Sequence, residues 1–183
     1  TELPEDFYSS EFFVDQMIEF IEEDKDTDSP FFAYLSFQAQ HIPLQAPQEF
    51  IDKYLTTYEE GWDTLREQRK NKAVEKGIFP PDKKIVDSMS TLDSWSALDQ
   101  ESKKMIIKSM AVFAGMLDAM DFHIGRFITY LKKEGLYENT IFIVTADNGP
   151  EGNDPSDHAP WREWFKTTIY DRDYESLGDQ DSY

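Results

Sequence analysis

Apolar residues recur at helical spacing over residues 10–23, where Phe13, Met17, Phe20 and Ile21 share one face and Ser10 stands in the position of an N-cap. An acidic turn, EEDKDTDSP, closed by Pro30, ends that helix. The run FFAYLSF over residues 31–37 is short, aromatic and apolar, and turn signals bound it, which predicts a buried strand. The stretch from Gln38 to Pro47 contains Pro43 and Pro47 and reads as loop. Residues 48–76 predict two polar helices, broken near Thr56 and stopped by Gly77. The adjacent Pro80 and Pro81 mark an irregular connection.

The longest pattern runs from about Asp99 to Glu134, with Ile106, Met110, Phe113, Leu117, Met120, Ile124, Phe127 and Leu131 alternating steps of four and three. At about 1.5 Å per residue this is a helix of roughly 50 Å, stopped by Gly135. Its heptad-like stripe also suits a coiled coil, but the apolar residues flanking the stripe favour a helix lying on a core. The strongest strand pattern, TIFIVTA from Thr140 to Ala146, follows and leads at once into Asp147, Asn148 and Gly149. Residues 150–183 are rich in Gly, Pro and Asp, with an aromatic stretch between Trp161 and Tyr170, and predict a loosely held tail. Strand, helices, long helix and strand in that order predict an α/β fold with parallel strands flanked by helices. The chain therefore divides into residues 1–150, the central part of one domain, and 151–183, a loop-rich acidic segment of the same domain.

Composition narrows the function. The 183 residues carry a formal net charge of −19. Residues 1–30 hold −10 of it and residues 151–183 hold −6, leaving the centre nearly neutral. So acidic a surface repels phosphate backbones and anionic headgroups, which argues against nucleic acid and membrane as partners. Leu, Ile, Val and Phe make up 43 of the 183 residues. That fraction is a little above the roughly 20% below which strongly charged chains stay disordered, so a thin core is expected. No cysteine is present, which excludes disulfides, thiolate catalysis and zinc–thiolate sites. No apolar run approaches the roughly 18–20 residues of a membrane span. The opening TELPEDFY has no basic start and no Met, and reads as the interior of a longer protein.

In open α/β sheets ligands bind beyond the carboxyl ends of the strands. Two such ends are expected here, one followed by His41 and the other by Asp147 and Asn148. Parallel strands would bring them to one edge. Asp147 and Asn148 offer a carboxylate and an amide oxygen, hard ligands suited to Ca²⁺ or Mg²⁺, although a calcium site usually needs six to eight oxygens. The same Asp-Asn-Gly triplet also suits a tight turn, though no strand follows Gly149 to complete a hairpin. His41 is either a structural hydrogen-bonding residue in a proline-flanked loop or a donor and proton carrier beside an anionic substrate. His123 lies beside the stripe of the long helix and reads as structural. His158 and the tail acids Glu151, Asp154 and Asp157 fall in no pattern that singles them out. There is no phosphate-cradling glycine loop, no G-x-S-x-G and no H-E-x-x-H, so the chain alone holds no complete active site.

Five segments in order resemble type I sulfatases of the bacterial arylsulfatase group, within the alkaline-phosphatase-like superfamily. They are residues 3–10, PFFAYLSFQAQHIPLQAP over 30–47, the Y-x-x-G-W-D-x-L-R pattern from Tyr58 to Arg66, the M-D-x-x-I-G-R pattern from Met120 to Arg126, and the strand ending in Asp147, Asn148 and Gly149. The resemblance implies that Asp147 and Asn148 are two ligands of an active-site Ca²⁺, with Mg²⁺ the lesser alternative. It further implies that His41 hydrogen-bonds the sulfate of a small-molecule sulfate ester, and that the protein is periplasmic or secreted. The C/S-x-P-S-R segment that yields the family's formylglycine nucleophile is not in this sequence, nor are the paired N-terminal aspartates or the upstream Lys, His and Arg. The family's later Lys is expected beyond Tyr183, and Lys166 sits in no matching motif. The chain thus reads as an internal fragment of a sulfatase. Two other readings stay open: a phosphate or phosphonate ester hydrolase of the same superfamily, and a non-catalytic acidic calcium-binding module.

Overall fold

The computed structural model describes residues 7–24, 29–84, 94–149 and 173–179. Among these residues four α-helices carry the architecture: α1 (Ser9–Glu23), the short α2 (Gln48–Ile51) continued by a 3-10 turn at Asp52–Tyr54, α3 (Gly61–Glu75) and α4 (Gln100–Lys133). The expected limits of α4 are met within a residue. Asp99 is its N-cap, and the Asp99 carboxylate accepts the Ser102 backbone N–H at 2.7 Å. That bond, with a second from the Ser102 hydroxyl, holds the Asp99 carboxyl below the usual carboxylate range. Gly135 follows the helix with φ +71°, and Gly77 follows α3 with φ +68°, as stop residues should. Ser10 is not the N-cap of α1: Tyr8 is, and Ser10 is a buried residue of the first turn.

Helices α1 and α2 lean on α4, in two clusters. Val14 and Ile21 of α1 meet Phe127 and Leu131 near the C-terminal end of α4. The Arg126 guanidinium ties the same pair of helices, donating to the Asp15 carboxylate at 2.6 Å and lying 3.6 Å from that of Glu11. Tyr130 donates its hydroxyl to Glu22, and burial together with that acceptor pushes its phenol up to about 12. Nearer the helix middle, Ala46, Ile51, Ala111, Val112, Met116 and Leu177 form the second cluster. Residues 173–179 are docked there. The Ala46 amide donates to the Gly178 carbonyl at 3.0 Å in a parallel bridge between Gln45 and Gly178, and Lys108 Nζ reaches the Tyr174 carbonyl at 2.6 Å.

The face of α4 that is buried differs from the expected stripe. Ala111, Val112, Gly115, Met116, Ala119, His123, Phe127 and Leu131 are buried, whereas Leu117 is exposed and Phe113, Met120 and Ile124 are only half-buried. The reason is close approach. A Cβ on Gly115 would stand 3.1 Å from the Ile51 backbone nitrogen and 3.2 Å from the Phe50 carbonyl carbon, so α2 lies nearly on the α4 backbone. Small residues, not large apolar ones, permit that contact. Gly115→Val is therefore expected to destabilise the protein by about 2 kcal/mol, as overpacking does. A urea midpoint equal to that of the parent would show that α2 does not press on this position.

The α/β expectation holds only on its helical side. Among the described residues neither 31–37 nor 140–146 enters a hydrogen-bonded ladder, so the predicted parallel strands are not formed here. The first segment still shows strand-like alternation: Ala33, Leu35 and Phe37 are half-buried while Phe32 and Tyr34 project into solvent. In the second, Ile141 and Val144 are 89% and 92% exposed. A ladder needs a neighbouring backbone to accept and donate, and none lies beside these segments among the described residues. No helix among the described residues is long and apolar enough to cross a membrane.

Candidate functional site

Both extended segments leave from the cluster that joins α1 to α4. Leu35 and Phe37 of the first segment pack against it, as do Leu136 and Tyr137, which lead into the second. The Phe142 ring stays near that anchor, 5.7 Å from Tyr137. Beyond the anchor each segment ends in exposed polar groups, His41 on one and Asp147 with Asn148 on the other.

His41 sits in a sharp bend. Its backbone N–H donates to the Gln38 carbonyl at 2.9 Å, Gln40 has φ +76°, and the Ile42–Pro43 peptide is cis. The ring lies with Nδ1 2.6 Å from the Ile42 carbonyl oxygen. A carbonyl can only accept, so Nδ1 carries the proton and donates, which leaves Nε2 as the nitrogen free to meet a ligand. In the other loop the Asn148 backbone N–H donates to Asp147 Oδ1 at 2.9 Å, and Asn148 Nδ2 donates to the Gly149 carbonyl at 2.6 Å. Among the described residues no hydrogen bond engages Asp147 Oδ2 or Asn148 Oδ1, two hard oxygen donors. The pair fits calcium chemistry but fills only two of the six to eight positions such an ion takes. No group of three or more His, Asp or Glu side chains that could hold a metal occurs among the described residues. No hydrogen bond among them joins His41 to Asp147 or Asn148. His158, Glu151, Asp154, Asp157 and Lys166 lie outside the described residues.

His123 has a structural place. It is 4% exposed, and Arg126 donates to its Nδ1 at 2.8 Å, so the ring is neutral with its proton on Nε2. Burial pushes its pKa below the ordinary histidine range, against the pull of the Glu11 and Asp15 carboxylates. His123 and Arg126 of the M-D-x-x-I-G-R pattern therefore bind α1 to α4. Sequence reasoning gave Arg126 no role, because its carboxylate partners on α1 are 111 residues or more away. It also missed a cavity of about 520 Å³ lined by Trp62 and Trp95, far along the chain from His41 and Asp147. The Y-x-x-G-W-D pattern was the available signal.

Comparison with known proteins places these features in a family. A sulfatase family model matches residues 1–176. An uncharacterized sulfatase of Schizosaccharomyces pombe is 37% identical over 179 residues, 97% of this chain and 32% of that protein. An arylsulfatase of Klebsiella aerogenes is 34% identical over 181 residues, 99% of this chain and 38% of that protein. An arylsulfatase of Clostridium perfringens is 26% identical over 173 residues. The chain spans about a third of the length of the curated relatives it matches.

Proposed function

As the chain belongs to the sulfatase family, we propose that the full-length protein hydrolyses sulfate esters and that this stretch supplies part of its calcium- and sulfate-binding site. Family membership implies an alkaline-phosphatase-like α/β fold. The observation that carries the reading is the shared origin of the two extended segments, which start from one apolar cluster and each end in exposed ligating groups. In this reading the bare faces of Phe32, Tyr34, Ile141 and Val144 are covered by strands from the rest of the full-length protein. The segments then become parallel strands, and their carboxyl ends share one edge of the sheet, where ligands bind in such folds.

Calcium, when bound, supplies fixed positive charge beside the sulfate group. Asp147 offers Oδ2 and Asn148 offers Oδ1, a donor set for a hard cation. Calcium accepts such exposed loop ligands more readily than magnesium, which demands a tight octahedron. His41 holds its Nδ1–H on the Ile42 carbonyl and turns Nε2 toward the ester. As imidazolium it donates to the oxygen that gains charge while the S–O bond breaks. The remaining metal ligands and the formylglycine nucleophile belong, on this reading, to segments upstream, and the protein acts in the periplasm or outside the cell.

The test is hydrolysis of an aryl sulfate and of an aryl phosphate by the full-length protein, each with calcium and with a chelator. Calcium-dependent sulfate release is expected. Phosphate release alone would move the protein to a sister activity of the superfamily. Turnover of neither ester, with calcium still bound, would favour an acidic calcium-binding module.

A further inference from the structure

We propose that the cavity between α3, the 3-10 turn Trp95–Ala97 and the first half of α4 is a second ligand site, which takes an aromatic ring bearing an anionic group. The inference goes beyond the ester-hydrolysis reading and uses none of its residues. At about 520 Å³ the cavity is within the size range of small-molecule sites, and like them it has an apolar floor with a few placed polar groups.

The floor is built from Trp62, Trp95, Leu65, Ile106 and Met110. Its two indoles meet edge to face, with ring centres 5.1 Å apart and planes at 73°. Trp95 is pinned in that position. The Asp63 carboxylate accepts its backbone N–H at 3.2 Å, and Gly61, at φ +78°, approaches so closely that a Cβ there would overlap the indole at 2.2 Å. Only glycine meets both demands, the left-handed backbone and the missing side chain. A fixed aromatic wall of this kind is pre-organised to receive another ring at low entropic cost.

The rim supplies the charge. Arg66, Arg69 and Lys70 all line the cavity from α3, and spacings of three and four residues bring Arg66 beside the other two. Such like charges repel, yet among the described residues neither Arg66 nor Arg69 makes an ion pair, and Lys70 has only Glu67 at 4.0 Å. In a chain of net charge −19, carboxylates to neutralise them are plentiful. Arg69 lies near enough to the half-buried Tyr58 for its charge to act on the phenol, whose pKa burial raises overall. Two guanidiniums without an ion-pair partner among the described residues and a phenolic O–H therefore line one aromatic cavity. Guanidinium binds a sulfonate, sulfate or carboxylate group in a bidentate fork, and the indoles accept the attached ring.

The probe is 2-naphthalenesulfonate, whose carbon–sulfur bond is not a sulfate ester, titrated into the full-length protein by calorimetry and by tryptophan fluorescence. Saturable binding is expected, weaker by at least about tenfold in the Arg66→Ala, Arg69→Ala double variant and unchanged in Asp147→Ala. Wild-type affinity should fall as salt is raised, and the neutral 2-naphthalenemethanol should bind more weakly. The salt series and the neutral analogue need no variant, so the test stands even if the double variant fails to fold. Absent binding, equal affinity in the double variant, salt-independent affinity, or equal affinity for the neutral analogue would each overturn the proposal. Loss of binding in Asp147→Ala would also overturn it, by assigning the probe to the candidate calcium site.

Discussion

Asp147→Ala in the full-length protein is expected to remove turnover of sulfate esters, by on the order of 10³-fold or more, and to weaken calcium binding with it. The argument starts from what the carboxylate does in this chain. It is exposed, its Oδ1 is engaged by the amide of its own neighbour Asn148, and no cation among the described residues pairs with it. An exposed carboxylate with no cation partner among the described residues contributes nothing evident to the core, so its removal should leave the fold intact. If it is a calcium ligand, alanine removes both a donor atom and a unit of negative charge. Losing a group that merely supports a ligand already costs about 10–100-fold in affinity or activity, and a ligand itself should cost more. Asp147→Asn separates the two contributions: it keeps an oxygen, loses the charge, and should fall between the parent and the alanine variant. Calcium titration by calorimetry and initial rates across a calcium series are the measurements. Near-normal turnover in Asp147→Ala would remove this residue from the site.

How much of this was legible along the chain depended on whether the deciding contacts were local. The ends of α4 were readable because Asp99 and Gly135 act on their immediate neighbours. Its buried face was not. Hydrophobicity points to Phe113, Leu117 and Ile124, but the contact is decided by Ala111, Gly115 and Ala119, which let the α2 backbone come within van der Waals distance. The apolar run bounded by turn signals marked 31–37 as a buried strand, and only part of that holds: Leu35 and Phe37 pack on the helices, while Phe32 and Tyr34 are exposed and no ladder forms. Whether an extended segment becomes a strand depends on another backbone, and nothing within seven residues can report that. For the candidate site the motifs nominate residues and carry no geometry. Five ordered motifs single out His41, Asp147 and Asn148, yet the turn that commits His41 Nδ1 to the Ile42 carbonyl emerges only from the folded loop. The cavity under Trp62 and Trp95 was wholly non-local, because the two indoles are 33 residues apart and meet only through α3.

His41→Ala should behave differently from the aspartate variant, and that difference tests the division of roles. Alanine removes the imidazole but no metal ligand, so calcium affinity should stay close to that of the parent. Turnover should fall about 10²- to 10³-fold, the usual cost of losing one donor aimed at developing charge. The loss should concentrate in kcat if Nε2 serves the breaking bond, and in KM if it only holds the ground-state sulfate. Substrates with better leaving groups give an independent reading. A donor to the leaving oxygen matters less when that oxygen leaves readily, so the defect should shrink for strongly acidic phenols. His41→Gln, which presents an amide N–H without a titratable proton, should recover part of the binding and little of the proton-dependent rate. Loss of calcium with retained turnover at saturating metal would make His41 a ligand instead. A defect of equal size for every leaving group would confine its role to gripping the sulfate.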